Sequence, residues 1–197
     1  ASFKATMLAL MEHEGLDFSG CSVTLPHKEN LARLAAELAG VDRQVLIEDE
    51  VNLCGAANTL VRVPARESAP GSCWRVMNTD ATAARTCLES ALGALQGRRI
   101  DVLGAGGVGR TIAAACASTG ARVRVLARDA SKAGRVAEEV RGRLRAAGVA
   151  EAAERLTAAA LADGACEGVD AVVHATPVGM AGGPAEGQSA IDVAELA

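Results

Sequence analysis

The chain has 197 residues, 50% of them hydrophobic and 22% charged, which is enough apolar material for one domain or two small ones. A formal charge of -4 offers no broad attraction to phosphate backbones, and two Phe, one Trp and no Tyr provide no stacking platform for bases, so nucleic-acid binding is not expected. No apolar run approaches the roughly 20 residues needed to cross a bilayer, and the start, Ala1 to Met7, carries one charge and no long apolar core, unlike a secretion signal.

The six cysteines (Cys21, Cys54, Cys73, Cys87, Cys116, Cys166) form no CxxC pair and mostly lie among Ala, Val and Leu, the pattern of reduced thiols in a cytoplasmic protein. His13, His27 and His174 lack ligand spacing, so no metal is expected. The missing initiator Met and the unpunctuated stretch at Ala197 suggest a piece of a longer protein.

In chain order, Gly20 to Leu25 reads as a short strand closed by Pro26. A helix is expected from about Lys28, with Leu31, Leu34, Ala35 and Leu38 on one face and Gly40 as its stop. Asn58 to Val63 and Cys73 to Met77 read as strands joined by a loop, Pro64 to Ser72, rich in turn residues. A hairpin of this kind brings Asn58 and Asn78-Thr79-Asp80 to one end. A helical run from Ala83 to Leu95 leads to the seam Leu95-Gln96-Gly97-Arg98-Arg99. Beyond it, strands and helices alternate, the rhythm of a parallel sheet covered on both faces. The Ala-rich stretch Ala146 to Ala160 reads as helix-compatible.

Ile100 to Leu103 is a buried-strand pattern, followed by Gly104-Ala105-Gly106-Gly107-Val108-Gly109 and the helical run from Thr111. This is G-x-G-x-x-G between a strand and a helix, the context that binding a dinucleotide requires. Gly104 permits the tight turn, Gly106 leaves the backbone open to a pyrophosphate, and Gly109 lets helix and strand pack closely. The helix start then offers unpaired N–H groups to the phosphates. A second strand, Gly120 to Leu126, ends at Ala127-Arg128-Asp129-Ala130-Ser131-Lys132. Arg128 and Lys132 suit the 2′-phosphate of NADP, whereas Asp129 suits the 2′-hydroxyl of NAD; NADP is favoured and NAD stays open. Asp129 or Ser131 would otherwise cap a helix.

Four short segments accompany the glycine turn: Ser22-Val23-Thr24-Leu25-Pro26-His27-Lys28, Gly55-Ala56-Ala57-Asn58-Thr59, Asn78-Thr79-Asp80, and Ala175-Thr176-Pro177-Val178-Gly179-Met180. In this order they resemble the shikimate dehydrogenase family over roughly Phe18 to Met180. The resemblance implies an α/β protein in which a partial substrate-binding lobe precedes a Rossmann-type parallel-sheet domain. The expected divisions are 1–82 for the substrate-binding and catalytic lobe, 83–97 for a connecting helix, and 98–197 for the dinucleotide-binding domain. It implies Lys28 and Asp80 as the catalytic pair, substrate contacts from Ser22, Thr24, Lys28, Asn58 and Asp80, and a cofactor contact from Thr176 beside the glycine turn and Arg128 and Lys132. The reaction implied is NADP-dependent interconversion of 3-dehydroshikimate and shikimate, in chorismate and aromatic amino-acid biosynthesis. Taken singly, Lys28 would be a solvated first-turn lysine and Asp80 the N-cap of a helix from Ala81 to Leu95.

Some positions depart from the family. Ser22 replaces the common Asn and is similar to proteins fused to a dehydroquinate dehydratase. Ala81 replaces a Gly, and Ala127 and Asp129 replace Asn and Thr. His174 stands where Asn is usual and reads as a strand residue. The family's Ser-x-Ser segment would precede Ala1 and its Gln-bearing helix would follow Ala197. Competing readings are a quinate/shikimate dehydrogenase using NAD, a non-catalytic dinucleotide-binding paralogue, and the Rossmann domain of another reductase, which fits only the glycine turn.

Overall fold

The computed structural model describes residues 2–13, 15–40, 45–64, 72–161, 166–183 and 185–191. These form two four-stranded sheets, each with its own apolar core. In the first half, α1 (Phe3–Glu12), β1 (Gly20–Ser22), α2 (Lys28–Ala39), β2 (Val45–Ile47), α3 (Asp49–Cys54), β3 (Thr59–Pro64) and β4 (Ser72–Met77) build a mixed sheet ordered β1-β3-β4-β2. Helix α2 forms for the reason its spacing predicts. Leu31, Leu34, Ala35 and Leu38 recur on one face, all are buried, and Gly40 ends the helix. Fully burying each leucine contributes about 1.5–3 kcal/mol.

The expected hairpin is present. β3 and β4 pair antiparallel with Thr59 opposite Met77, and the Asn58 N–H donates to the Met77 carbonyl at 3.0 Å. The connecting loop, residues 65–71, lies outside the described residues. The first strand is shorter than expected: β1 stops at Ser22 because the chain enters a turn in which the His27 N–H donates to the Thr24 carbonyl at 2.9 Å.

Helix α4 (Thr79–Leu92) begins earlier and ends earlier than the run Ala83 to Leu95 suggests. Its cap is Asn78 rather than Asp80: the Asn78 side chain accepts from the Asp80 N–H at 3.1 Å. Asp80 therefore sits inside the first turn, with its carboxylate released from capping. Gly93, at φ 73, stops the helix.

The second sheet is wholly parallel. It is built from β5 (Arg99–Leu103), β6 (Arg122–Ala127), β7 (Leu156–Ala160) and β8 (Ala171–His174) in the order β7-β6-β5-β8. Helices α5 (Gly107–Ser118) and α6 (Ala130–Ala146) pack on it, followed by the short α7 (Ala150–Glu154). In sequence the strands run third, second, first, fourth, so chain direction across the sheet reverses between β5 and β8. Ligands of such sheets bind beyond the strand carboxyl ends at this reversal.

The expectation for Ala146 to Ala160 is corrected. α6 ends at Ala146 and the stretch divides into α7 and the edge strand β7, because Leu156 to Ala160 pairs residue by residue with Val123 to Ala127. Tertiary pairing overrides alanine's preference for helix. β8 closes at His174, which the sequence reads as a strand residue, although the Ala175 N–H still donates to the Leu103 carbonyl at 2.8 Å.

Candidate active site between two lobes

Three loops meet where the lobes adjoin. Lys28 opens α2 with its side chain only 10% exposed, and its Nζ lies 2.6 Å from Asp80 Oδ2. An ammonium this buried needs a counter-charge, because unpaired it would lose hydration without compensation. The other carboxylate oxygen, Oδ1, accepts from Asn58 Nδ2 at 3.1 Å. The Asn58 amide is fixed in turn by Thr79, whose N–H donates to Asn58 Oδ1 at 3.0 Å, and Thr59 Oγ1 donates to the same oxygen at 2.9 Å. The Ala57 N–H donates to the Lys28 carbonyl at 2.9 Å, pinning the Asn58 loop to the start of α2. Lys28, Asp80 and Asn58 thus form one hydrogen-bonded cluster. Asp80 keeps 30% of its side chain exposed, so the cluster has an open side.

Ser22 and Thr24 stand beside this cluster with exposed side chains that make no hydrogen bond among the described residues. Ser22 faces Thr59 in the β1–β3 register, and the Val23 N–H donates to the Asn58 carbonyl at 2.8 Å.

The glycine turn approaches from the other lobe. A Cβ on Gly107 would come within 3.4 Å of the Lys28 Cβ. Gly104 has φ 119, and a Cβ there would lie 2.7 Å from the Ala175 carbonyl oxygen; on Gly109 it would lie 1.9 Å from the Gly104 carbonyl oxygen. Both positions exclude a side chain. Above Gly106 a Cβ would meet nothing within 4 Å, so its backbone faces open space at the start of α5. These features, with Ala105 and Val108 completing the turn, fit a dinucleotide pyrophosphate. Thr176 adjoins Gly104, its hydroxyl accepting from the Val178 N–H at 3.2 Å and meeting His174 Nε2.

A cleft of about 300 Å³ runs from Leu25, Pro26 and Lys28 past the glycine turn to Lys132 and Arg135. Arg128, Lys132 and Arg135 are exposed, and their side chains make no hydrogen bond or ion pair among the described residues. Asp129 is the N-cap of α6: its Oδ1 accepts from Ser131 N at 2.9 Å and Lys132 N at 3.2 Å.

Several residues at the junction escaped the sequence reading. Arg110, with its side chain 7% exposed, meets Glu29 of α2 at 3.6 Å and Glu139 of α6 at 3.1 Å, tying three helices together. Arg143 reaches across to donate to the Asn52 carbonyl at 3.3 Å, and a Cβ on Gly55 would lie 2.6 Å from its Nε. No local pattern marks a cross-lobe arginine. Asn78 was accessible, since an Asn just ahead of a helical run is a capping signal.

The fold and cleft define a Rossmann-type α/β protein with an ammonium–carboxylate pair set against its glycine turn. Residues 86–194 match the family model of shikimate / quinate 5-dehydrogenase, more than half of the chain, and the chain belongs to that family. A shikimate dehydrogenase (NADP(+)) of Anaeromyxobacter dehalogenans is 37% identical over 174 residues, covering 88% of this chain and 55% of the relative. A solved shikimate dehydrogenase in complex with NADP+ superposes with TM-score 0.69 at 26% identity, over 92% of this chain and 56% of its own. The Thermus thermophilus shikimate 5-dehydrogenase in complex with NADP(H) and shikimate gives TM-score 0.59 at 28% identity, over 91% and 56%. The chain thus spans about half the length of the relatives it matches. Among the described residues no helix is long and apolar enough to cross a membrane.

Proposed function

We propose that the protein is an NADP-dependent shikimate dehydrogenase, reversibly reducing 3-dehydroshikimate to shikimate in chorismate and aromatic amino-acid biosynthesis. The observation that carries this reading is the 2.6 Å contact between Lys28 and Asp80 at the glycine turn. We divide the protein into a substrate-binding lobe through residue 82, a connecting helix, and a dinucleotide-binding domain from residue 98.

Residues 104–109 and Thr176 would hold the dinucleotide, with Arg128 and Lys132 facing a 2′-phosphate. When bound, the reduced nicotinamide supplies the hydride. As the substrate carbonyl becomes an alkoxide, the Lys28 ammonium donates a hydrogen bond to that oxygen and then a proton. Asp80 keeps the ammonium aimed and recharges it by proton transfer from solvent through its open side. In the reverse direction Lys28 accepts the hydroxyl proton. Asn58 Nδ2 holds the carboxylate, while Ser22 and Thr24 offer hydroxyls to a polyhydroxylated ring.

A cytoplasmic location is part of this proposal and is supported by the scattered spacing of the cysteines, which form no CxxC pair. Burial, with Glu89 adding to it, pushes the Cys116 thiol up to about 11, so it stays protonated and inert. Ser22 and His27 support a dehydratase domain joined ahead of residue 1, which the full-length gene sequence would reveal.

Steady-state rates of the full-length protein with shikimate and with quinate, each with NADP and with NAD, test the assignment. The highest kcat/KM is expected for shikimate with NADP. A preference for quinate with NAD would transfer the protein to the other activity in its family, and no turnover with any pair would leave a non-catalytic binder.

A further inference from the structure

Thr111 is fully buried on α5, one turn beyond Gly107, and plays no part in the chemistry above. Its hydroxyl donates to the Gly107 carbonyl at 2.8 Å and accepts from Asn78 Nδ2 at 2.9 Å. A threonine bonding its own helix one turn back is commonplace. The bond to Asn78 is different, because it leaves the dinucleotide helix and enters the other lobe's polar cluster.

The Asn78 amide is fully committed. Nδ2 donates its second hydrogen to the Ala56 carbonyl at 2.9 Å, and Oδ1 accepts from the Asp80 N–H at 3.1 Å. Cys54 Sγ fills the same pocket, 3.5 Å from Thr111 Oγ1 and 3.6 Å from Asn78 Nδ2. A closed circuit results. It runs from the glycine turn through Thr111 and Asn78 to the Asp80 backbone, then through the Asp80 carboxylate to Lys28, which packs back on Gly107.

We propose that Thr111 is a positioning residue that sets the Asp80 carboxylate, and through it the Lys28 ammonium, in register with the dinucleotide turn. This rests on the proton-transfer reading of Lys28 and Asp80. The physical reason is satisfaction of buried polar groups. Asn78 is 3% exposed, so without the Thr111 hydroxyl one of its N–H groups has no oxygen acceptor and no water to replace it. The amide then turns to find a partner, and Asp80, held by the oxygen of that same amide, moves with it.

The test is made in the full-length protein with Thr111→Val, Thr111→Ala and Thr111→Ser. Valine preserves shape and removes the hydroxyl; alanine removes it without adding a methyl against Asn78, should valine prevent folding. For either, kcat is expected to fall about 10-fold, with KM for shikimate and the Kd for NADPH changed less than about twofold. Thr111→Ser should restore kcat to within about twofold of wild type. Loss of thermal stability with unchanged kcat would overturn the proposal, as would a parallel loss of kcat and NADPH affinity that serine fails to rescue. If the wild-type protein itself turns over no substrate, the dehydrogenase reading fails separately. The coupling is then decided by crystal structures, where an unchanged Lys28–Asp80 contact in Thr111→Val would overturn it and a separation beyond about 3.5 Å would uphold it.

Discussion

The two ends of the interlobe cleft are built on opposite principles. At the Lys28 end one hydrogen-bonded network joins Lys28, Asp80, Asn58, Thr79, Asn78 and Thr111, residues drawn from both lobes. At the far end Lys132 and Arg135 project into solvent without partners among the described residues. The first end holds charge in one geometry before any ligand arrives, as chemistry on a reacting bond requires. The second offers solvated cations that settle around whatever anion enters. Substitutions at the first end should therefore be costly and nearly salt-independent, and those at the second modest and salt-sensitive.

The largest effect is expected for Lys28→Ala, which should lower kcat by about 10²–10⁴-fold while leaving NADPH affinity within about twofold, read by steady-state kinetics and fluorescence titration. Unchanged turnover would remove the distinction between the two ends. Asn78→Ala tests whether the ordered end is also a stability element. It deletes a helix cap and strands buried partners, so a loss of about 2–3 kcal/mol is expected in denaturant melts. At the other end, Lys132→Ala should weaken NADP binding about fivefold at low salt and progressively less as salt rises. Asp129→Ser keeps the α6 cap and removes a charge, so the preference for NADP over NAD should rise a fewfold.

The smallest effect concerns the opposite end of the second sheet. The Arg99 N–H and then the Arg98 guanidinium hold the Asp170 carboxyl below the usual carboxylate range. A depressed value stabilises the fold at pH above the ordinary range. That contribution is lost as pH falls below about 4, through the lowered value. Asp170→Asn should flatten this acid limb slightly in pH-dependent melts, and a limb identical to wild type would show that the pair contributes nothing measurable.

Local chemistry was legible where a motif spans consecutive residues. The glycine turn, the α2 face and the β3–β4 hairpin follow from spacing alone, as does the convergence of Asn58 with Asp80 that the hairpin enforces. Spacing points to Asp80 as the cap of α4, although Asn78 two residues earlier is as good a capping residue. The difference matters, because the structure gives Asn78 the cap and so frees the Asp80 carboxylate to meet Lys28. β7 was illegible for a different reason: five residues of Leu, Thr and Ala become a strand only because β6 offers them a paired edge.

By itself, the sequence determined the family and the strand–glycine turn–helix unit, and it marked Lys28 and Asp80 as the pair proposed for chemistry, because each is written in short runs with fixed stereochemical demands. Only the tertiary structure decided how the two lobes are tied. The bonds that do so, Thr111 to Asn78, Arg143 to Asn52 and Arg110 to Glu29, join residues 33, 91 and 81 positions apart. No local pattern can specify such bonds, since each partner satisfies the other only after both sheets have formed and excluded water.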